Sequence, residues 1–355
     1  MLKSIVFTGG GSAGHVTPNL ALIAKLKERG WRVDYIGSTD GIEKSIIEGA
    51  GIRYHPISSG KLRRYFDPKN FKDPFKVMKG VVDAYRIIRK LKPNAVFSKG
   101  GFVSVPVVVA GWMNRVPVII HESDMTPGLA NKLSLPFASR ICVTFPETMR
   151  HLSRGKAECT GLPIREEMLR GSAVKGRHLC EFHTQKPVLF IMGGSLGSKA
   201  INDAVRGGLD RLLQRFQIVH ICGKGHIASE LAGVRGYRQF EFVTAELPDL
   251  LAMADVVVSR SGSTSIFEFL SLRKPMLLVP LTKNASRGDQ ILNAESFRSQ
   301  GFGEVLEEER MTPDSLTEEL LRLYEHRDTY IARMQSHSNQ DSIARIIGLI
   351  EQSAR

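Results

Sequence analysis

The sequence predicts an α/β protein made of two doubly wound halves, and three observations carry that prediction. At 355 residues the chain is longer than one compact core usually serves, so two domains are expected. Short β-branched runs alternate with amphipathic stretches of helical period, the pattern of parallel sheets covered on both faces. Both halves also open alike, with a strand, a glycine-rich loop and a helix.

In the first half Ile5-Val6-Phe7-Thr8 reads as a strand, and a helix is expected from about Thr17-Pro18, with proline in its first turn. Further strands are expected at 33–36, 54–57, 95–98, 118–121 and 141–144. Turn residues at Gly161-Leu162-Pro163-Ile164-Arg165 interrupt the pattern and mark a linker. The second half restarts at Lys186-Pro187, with a strand at 188–192, the loop Gly193-Gly194-Ser195-Leu196-Gly197 and a helix from Lys199. Strands follow at 218–222, 239–243, 256–259 and 276–279. Ligands of such sheets sit beyond the carboxyl ends of the strands, so two domains facing one another would form an interdomain cleft.

A hydrophobic content of 42% with 24% charged residues describes an ordinary globular chain and excludes a disordered one. The most apolar stretch, 103–113, is too short to span a bilayer and contains Pro106. Met1 runs straight into the strand-like Lys3-Ser4-Ile5, which leaves no room for a signal peptide. Cys142, Cys159, Cys180 and Cys222 lack metal-ligand or redox spacing and suit a reducing cytoplasm.

The net charge of +13 raises the question of a polyanionic partner. Much of the excess lies between Arg53 and Lys92, in Lys61, Arg63, Arg64, Lys69, Lys72, Lys76, Lys79, Arg86, Arg89 and Lys90, against Asp67, Asp73 and Asp83. Leu62, Tyr65, Phe66, Phe71, Phe75, Val77 and Met78 are interleaved with them. Charge alone leaves nucleic acid, anionic lipid and a solvated face all open.

The first loop, Gly9-Gly10-Gly11-Ser12-Ala13-Gly14-His15, formally matches the dinucleotide fingerprint. A dehydrogenase would end its second strand on an acid about 20 residues on, to bind ribose. Here that strand ends Tyr35-Ile36-Gly37-Ser38 with Asp34 inside it, which weighs against nicotinamide and flavin. A glycine turn needed only for close strand–helix packing would explain one such loop but not several. Ser98-Lys99-Gly100-Gly101-Phe102-Val103-Ser104 and 193–197 are two more, each opening a helix whose N–H groups can hold phosphate oxygens. Separate cradles in two domains suit a transferase acting between two pyrophosphate-bearing molecules.

In the second half, 256–265 reads as a strand, a small-residue turn and a helix start, with Glu268 in the first two turns. That carboxylate either bridges the ribose hydroxyls of a nucleotide or only complements the helix dipole. Arg260 is either a phosphate contact or a structural ion pair. Gln290 and Asn293, three apart, would share one helix face and read sugar hydroxyls. The chain holds no Asp-x-Asp pair, so no metal is expected on a departing diphosphate. Helix N-termini with Arg260 or Arg165 would meet that charge instead.

The motifs Gly10-Gly11-Ser12-Ala13-Gly14-His15, Lys99-Gly100-Gly101, His121-Glu122-Ser123, Gly193-Gly194-Ser195-Leu196-Gly197, the run from Ser261 to Glu268, Asp289-Gln290 and Asn293 occur in this order. With them the chain resembles the bacterial MurG family over nearly its whole length. The resemblance implies the GT-B fold of two Rossmann-like domains. Residues 1–163 would form an acceptor and membrane-associating domain, joined by a returning helix at about 340–355, and 164–339 would bind UDP-N-acetylglucosamine. It implies inverting, metal-independent transfer of N-acetylglucosamine from UDP-N-acetylglucosamine to undecaprenyl-pyrophosphoryl-MurNAc-pentapeptide (lipid I). The product would be lipid II, and no cofactor is implied. Such a glycosyltransferase would serve peptidoglycan synthesis, cell wall biogenesis, cell shape, cell division and the cell cycle, as a peripheral membrane protein on the cytoplasmic face of the cell membrane.

Carried over by motif, Ser12, Ala13 and Gly14 would approach the donor, and Arg165 and Ser195 match donor-binding positions. Val243, in Glu241-Phe242-Val243, matches a backbone contact to uracil. Ser263, Thr264, Ser265, Ile266, Phe267, Glu268 and Gln290 match the remaining donor contacts, and Lys99, Gly100 and Gly101 the acceptor diphosphate. The chain departs from the family's usual His-Glu-Gln-Asn at His121-Glu122-Ser123-Asp124, so Asp124 is not assigned to the donor. The first loop is more often Gly-Gly-Thr-Gly-Gly-His, whose form Ser12 and Ala13 are small enough to keep.

Inverting transfer needs a base for the acceptor hydroxyl, and His15, following the first loop, is the candidate. The alternative is a histidine that caps the loop or binds acceptor phosphate. Glu122 is the alternative base or an orienting partner. A polyprenyl substrate would be met at an anionic membrane surface, which suits the basic and aromatic stretch. No nucleic-acid motif is present, so nucleic acid is not expected. The competing readings are a UDP-sugar transferase acting on another lipid acceptor such as a diacylglycerol, a UDP-N-acetylglucosamine 2-epimerase, and a non-catalytic nucleotide-sugar sensor. An epimerase needs acid–base carboxylates around the sugar, and the glycine loops offer few.

Overall fold

A computed structural model describes residues 3–60, 73–152, 155–194, 196–337 and 341–354. The chain divides into two units, Met1–Arg165 with Gln340–Arg355, and Glu166–Asn339.

Unit 1 runs β1 (Ser4–Thr8), α1 (Ala13–Glu28), β2 (Arg32–Ser38), α2 (Ile42–Gly49), β3 (Arg53–Ile57), α3 (Asp73–Leu91), β4 (Ala95–Ser98), α4 (Ser104–Met113), β5 (Val118–Glu122), α5 (Leu129–Ser134), β6 (Arg140–Val143) and β7 (Ala157–Cys159). Unit 2 contributes α6 (Glu166–Leu169), α7 (Ala173–Cys180), β8 (Val188–Met192), α8 (Lys199–Gly207), α9 (Leu209–Arg215), β9 (Gln217–Ile221), β10 (Tyr237–Phe240), α10 (Leu247–Met253), β11 (Val256–Ser259), α11 (Ser263–Ser271), β12 (Met276–Leu278), α12 (Asp289–Ser299), β13 (Gly303–Val305), α13 (Pro313–Glu325) and α14 (Arg327–Ser336). The last helix, α15 (Ser342–Ser353), belongs to unit 1.

The sheet of unit 1 has the order β3-β2-β1-β4-β5-β6-β7, and that of unit 2 the order β10-β9-β8-β11-β12-β13. All the pairings are parallel. Because side chains alternate along a strand, both sheet faces are buried. Ile5 and Phe7 pack with Leu22, Leu26, Ile346 and Ile350 on one face, while Val6 packs with Ala84, Ile88, Val107 and Val108 on the other. In unit 2, Leu189 and Ile191 pack with Ile201, Val205, Leu316 and Leu320. Among the described residues no helix is long and apolar enough to cross a membrane.

Three local expectations are corrected. The first helix begins at Ala13, not near Thr17, so Pro18 lies inside it. As the sixth residue of α1 it lies past the first turn, so its missing N–H forfeits one helical hydrogen bond. The expected strand 239–243 is Tyr237–Phe240. Beyond Phe240 the chain turns to the neighbouring loop, where the Gly223 N–H donates to the Glu241 carbonyl and the Gly225 N–H to its Oε1. Two short strands, β7 and β13, went unanticipated. Both have three residues and lie at a sheet edge, too short for a period of two to register.

Candidate active site

In each sheet the strand order reverses direction at one place, between β1 and β4 in unit 1 and between β8 and β11 in unit 2. Loops beyond the carboxyl ends of those strands border the crevice where ligands of open α/β sheets bind. Both are the glycine loops that the sequence singles out.

In unit 1 the loops after β1 and β4 meet backbone to backbone. The Gly10 N–H donates to the Gly100 carbonyl at 3.3 Å. A Cβ on Gly101 would lie 2.2 Å from the Gly10 oxygen, and Gly101 has a φ of +86°, so only glycine fits there. His15 is the third residue of α1 and is half-buried. Its Nδ1 lies 2.8 Å from the Ser12 hydroxyl, and Ser12, the N-cap of α1, makes no side-chain cap bond. With that hydroxyl as acceptor, Nδ1 carries the ring proton and Nε2 the lone pair, the tautomer a base requires. Gly14 shares this first turn, and Ala13 opens the helix.

Lys99 points inward and is 1% exposed. Its ammonium lies 2.8 Å from His121 Nδ1 and donates to the Ser123 hydroxyl, while His121 Nε2 lies 2.9 Å from the Gly161 carbonyl. Burial pushes the Lys99 pKa down to about 8, although Glu122 and Asp124 act in the opposite direction. Burial, and then the Lys99 charge, hold His121 well below the ordinary histidine range. His121 is therefore neutral, accepting from Lys99 and donating to Gly161. Lys99 is thus an internal post beneath the loop, which corrects the expectation that its side chain meets a diphosphate. Glu122 is buried as well: Oε1 accepts from the Asp124 N–H at 2.9 Å, and Oε2 from the Gly128 N–H at 2.9 Å and Asn131 Nδ2 at 2.8 Å. Burial, then Asp124, raise its pKa. With both oxygens engaged, it acts as an organiser of the 123–131 segment. Arg165 is the last residue of unit 1 and is half-buried.

In unit 2, Gly194 and Gly197 take φ values of +94° and +78° in the loop before α8, and Ser195 lies outside the described residues. A Cβ on Gly197 would fall 2.1 Å from the Cys222 carbonyl, so this loop is pressed onto the end of β9. Ser198 caps α8 by accepting from the Ile201 N–H. Arg260 settles its open alternatives in favour of structure. It is buried, donates to Ser198 Oγ at 2.7 Å and to the Val279 and Pro280 carbonyls at 3.1 and 3.3 Å, and pairs with Glu308. It ties the two glycine-loop helices together and adds positive charge beside the N-terminus of α8.

Ser263, Thr264 and Ser265 form the first turn of α11, with Glu268 two residues beyond Ile266 and largely buried. Ile266 is wholly buried, and Phe267 packs edge-on against Phe297 at 5.1 Å. A ligand can therefore meet Ile266 only through its backbone, whereas Phe267 is partly exposed. Gln290 Oε1 accepts from the Leu281 N–H at 3.2 Å. Asn293 is wholly buried and donates to the Ser261 carbonyl at 3.2 Å, which makes it a shaper of the loop and corrects the expectation that it reads a sugar. Val243 follows β10, partly exposed. Thus 12–15 and 99–101 come together in unit 1, and 193–194, 196–198, 260–268 and 290 in unit 2. Motif reading passed over Glu43, whose carboxylate accepts from the Gly11 N–H at 3.2 Å.

Among the described residues no group of His, Cys, Asp and Glu is placed to hold a metal ion. The model of the glycosyltransferase family 28 N-terminal domain matches residues 5–143, and that of its C-terminal domain matches 188–349. The chain is 59% identical over 356 residues, covering 100% of both chains, to the UDP-N-acetylglucosamine--N-acetylmuramyl-(pentapeptide) pyrophosphoryl-undecaprenol N-acetylglucosamine transferase of Geobacillus thermodenitrificans. It is 57% identical over 351 residues to the protein of the same name from Clostridium tetani, covering 99% of this chain and 98% of the other. Among solved structures, the Acinetobacter baumannii MurG crystal structure superposes with a TM-score of 0.78 at 23% identity, over 99% of each chain, a likeness of fold.

Proposed function

Because the chain belongs to the MurG family within glycosyltransferase family 28, we propose that it transfers N-acetylglucosamine from UDP-N-acetylglucosamine to undecaprenyl-pyrophosphoryl-MurNAc-pentapeptide, converting lipid I to lipid II. The observation that carries this reading is the pair of glycine-loop sites, one at the switch point of each sheet, in a chain related to such transferases from end to end.

Unit 2 holds the donor. The N-termini of α8 and α11 offer N–H groups and positive dipole ends to the diphosphate, and Arg260 reinforces the first of them from behind. Glu268 bridges the ribose hydroxyls, Val243 meets uracil through its backbone, and Gln290, Ser195 and Arg165 complete the donor contacts. This preorganised positive field stabilises the UDP leaving group as charge develops on it. In unit 1, His15 Nε2 takes the proton of the acceptor hydroxyl as its oxygen attacks the anomeric carbon. The oxygen–carbon bond forms as the carbon–diphosphate bond breaks, so the configuration inverts. Gly100 and Gly101 receive the acceptor diphosphate, and Ser12, Ala13 and Gly14 border the donor sugar.

The acceptor's polyprenyl chain calls for contact with a lipid surface, and exposed apolar groups of unit 1 suit it. Phe75, Met78 and Val82 are exposed on α3 beside exposed Lys76 and Lys79, and Trp112 and Met113 are exposed at the end of α4. Aromatic and aliphatic groups framed by lysines fit the interface of an anionic membrane. Peripheral attachment at the cytoplasmic face, with roles in cell wall biogenesis, cell shape and division, belongs to the same proposal. Residues 61–72, with Arg63 and Arg64, lie outside the described residues.

The test is product analysis with UDP-N-acetylglucosamine, with and without a lipid I analogue. Transfer predicts a disaccharide lipid and stoichiometric UDP only when the acceptor is present. UDP-N-acetylmannosamine formed without acceptor would establish the epimerase reading instead, and binding without turnover the sensor.

A further inference from the structure

The first glycine loop rests on a buried carboxylate that no motif in the sequence marks. Glu43, the second residue of α2, is 0% exposed. Its Oε2 accepts from the Gly11 N–H at 3.2 Å, and its Oε1 from the Ser38 N–H at 3.0 Å and the Ser38 hydroxyl at 2.5 Å. The side chain therefore bridges the loop after β1 to the end of β2.

The glycines around it are shaped to its seat. A Cβ on Gly10 would lie 2.6 Å from the Glu43 carboxyl carbon, and a Cβ on Gly41 2.2 Å from its oxygens. Gly10 has no positive φ, so at that position the carboxylate is the obstacle to a side chain. Around this seat the Tyr35 hydroxyl donates to the Gly9 carbonyl at 2.7 Å and the Tyr54 hydroxyl to the Ser38 carbonyl at 2.5 Å. On its other side the loop leans on Gly100 through the Gly10 N–H. Gly11 precedes Ser12, and Ser12 holds the His15 ring. A buried charge accepting backbone N–H groups makes the stronger kind of hydrogen bond, so it defines the loop path firmly.

We propose that Glu43 is a positioning residue for transfer: its carboxylate sets the path of the first glycine loop and, through it, the placement of Ser12 and His15. This rests on the reading that His15 is the base. Glu43 itself touches neither substrate.

The experiment uses the full-length protein as the variants Glu43→Ala, Glu43→Gln, Gly10→Ala, the double variant Gly10→Ala with Glu43→Ala, and His15→Ala. Transfer kcat is measured beside UDP-N-acetylglucosamine affinity by calorimetry, at a temperature where circular dichroism shows each variant folded. Misplacing a reacting group by about 1 Å can cost about 100-fold, so Glu43→Ala is expected to lower kcat about 10- to 100-fold with donor affinity within about twofold. Glu43→Gln, which keeps the volume but turns an amide N–H onto a backbone or hydroxyl donor, should fall with it. Gly10→Ala should be impaired alone but cost little further once Glu43→Ala has made room. Near-normal kcat in both Glu43 variants, or losses that multiply in the double variant, would overturn the proposal. Should His15→Ala keep its kcat, the base reading fails; should His15→Ala collapse while both Glu43 variants stay active, the base reading stands and the positioning role alone is lost.

Discussion

Lys99 illustrates how a residue's burial decides its chemistry. Its ammonium lies beneath the loop it precedes, with His121 and Ser123 as partners. Burial, the largest cause, lowers its pKa from 10.5 to about 8. Between those values the unfolded chain still binds a proton that the folded protein has released, so stability rises with pH across that window. Below about 8 both states are charged and the full cost of the buried ammonium is present. Urea unfolding at about pH 7 and about pH 9.5 should therefore show wild-type stability gaining on Lys99→Met as pH rises, and an unchanged difference would contradict the assignment. The glycine loops after β1, β4 and β8 were legible in the sequence because glycine runs that follow apolar strands punctuate strand–loop–helix units. The burial of Lys99 and the seat of Glu43 were not, because each depends on a partner distant in sequence, and the occupied oxygens of Glu122 depend on how the 123–131 segment folds back on it. Arg260 stood between two readings until Glu308 and Ser198, 48 and 62 residues away, closed around it.

At the scale of elements, α3 shows what periodicity leaves unsaid. Gly80, Ala84 and Ile88 form a buried stripe, and a Cβ on Gly80 would lie 2.2 Å from the Ser58 carbonyl. Phe75, Met78 and Val82 form a second, exposed stripe. Read as sequence, the two merge into an interleaved basic and apolar run, and only packing tells them apart. The outer stripe belongs to the proposed lipid-facing surface. A lysine near an anionic surface contributes about 1 kcal/mol, so Lys76→Glu with Lys79→Glu should weaken binding to phosphatidylglycerol vesicles at least about tenfold. Added salt should weaken wild-type binding too, and activity on a short-chain soluble acceptor should persist. Vesicle binding indifferent to both changes would remove this surface from the account. Buried apolar strands such as β4, β8 and β11 and the start of α8 were read to the residue, whereas the start of α1 and the edge strands β7, β10 and β13 were not, because local pattern competes there with tertiary packing.

At the scale of the whole molecule, the chain assigns its ends to one unit. α15 packs its Ile346, Ile347 and Ile350 into the core that holds Ile5 and Phe7. Arg29 pairs with Glu351 and Arg345 with Glu158, so unit 1 is completed only by the last residues of the chain. The proposed division of labour follows the units: unit 2 binds the donor, and unit 1 supplies the base. It is tested most directly by the kcat of His15→Ala, measured beside its dissociation constant for UDP-N-acetylglucosamine. Loss of a general base costs about 10²- to 10⁴-fold, so kcat should fall by that factor while donor affinity stays within about twofold. A variant that keeps near-wild-type kcat, or loses donor affinity in step with turnover, would contradict the account.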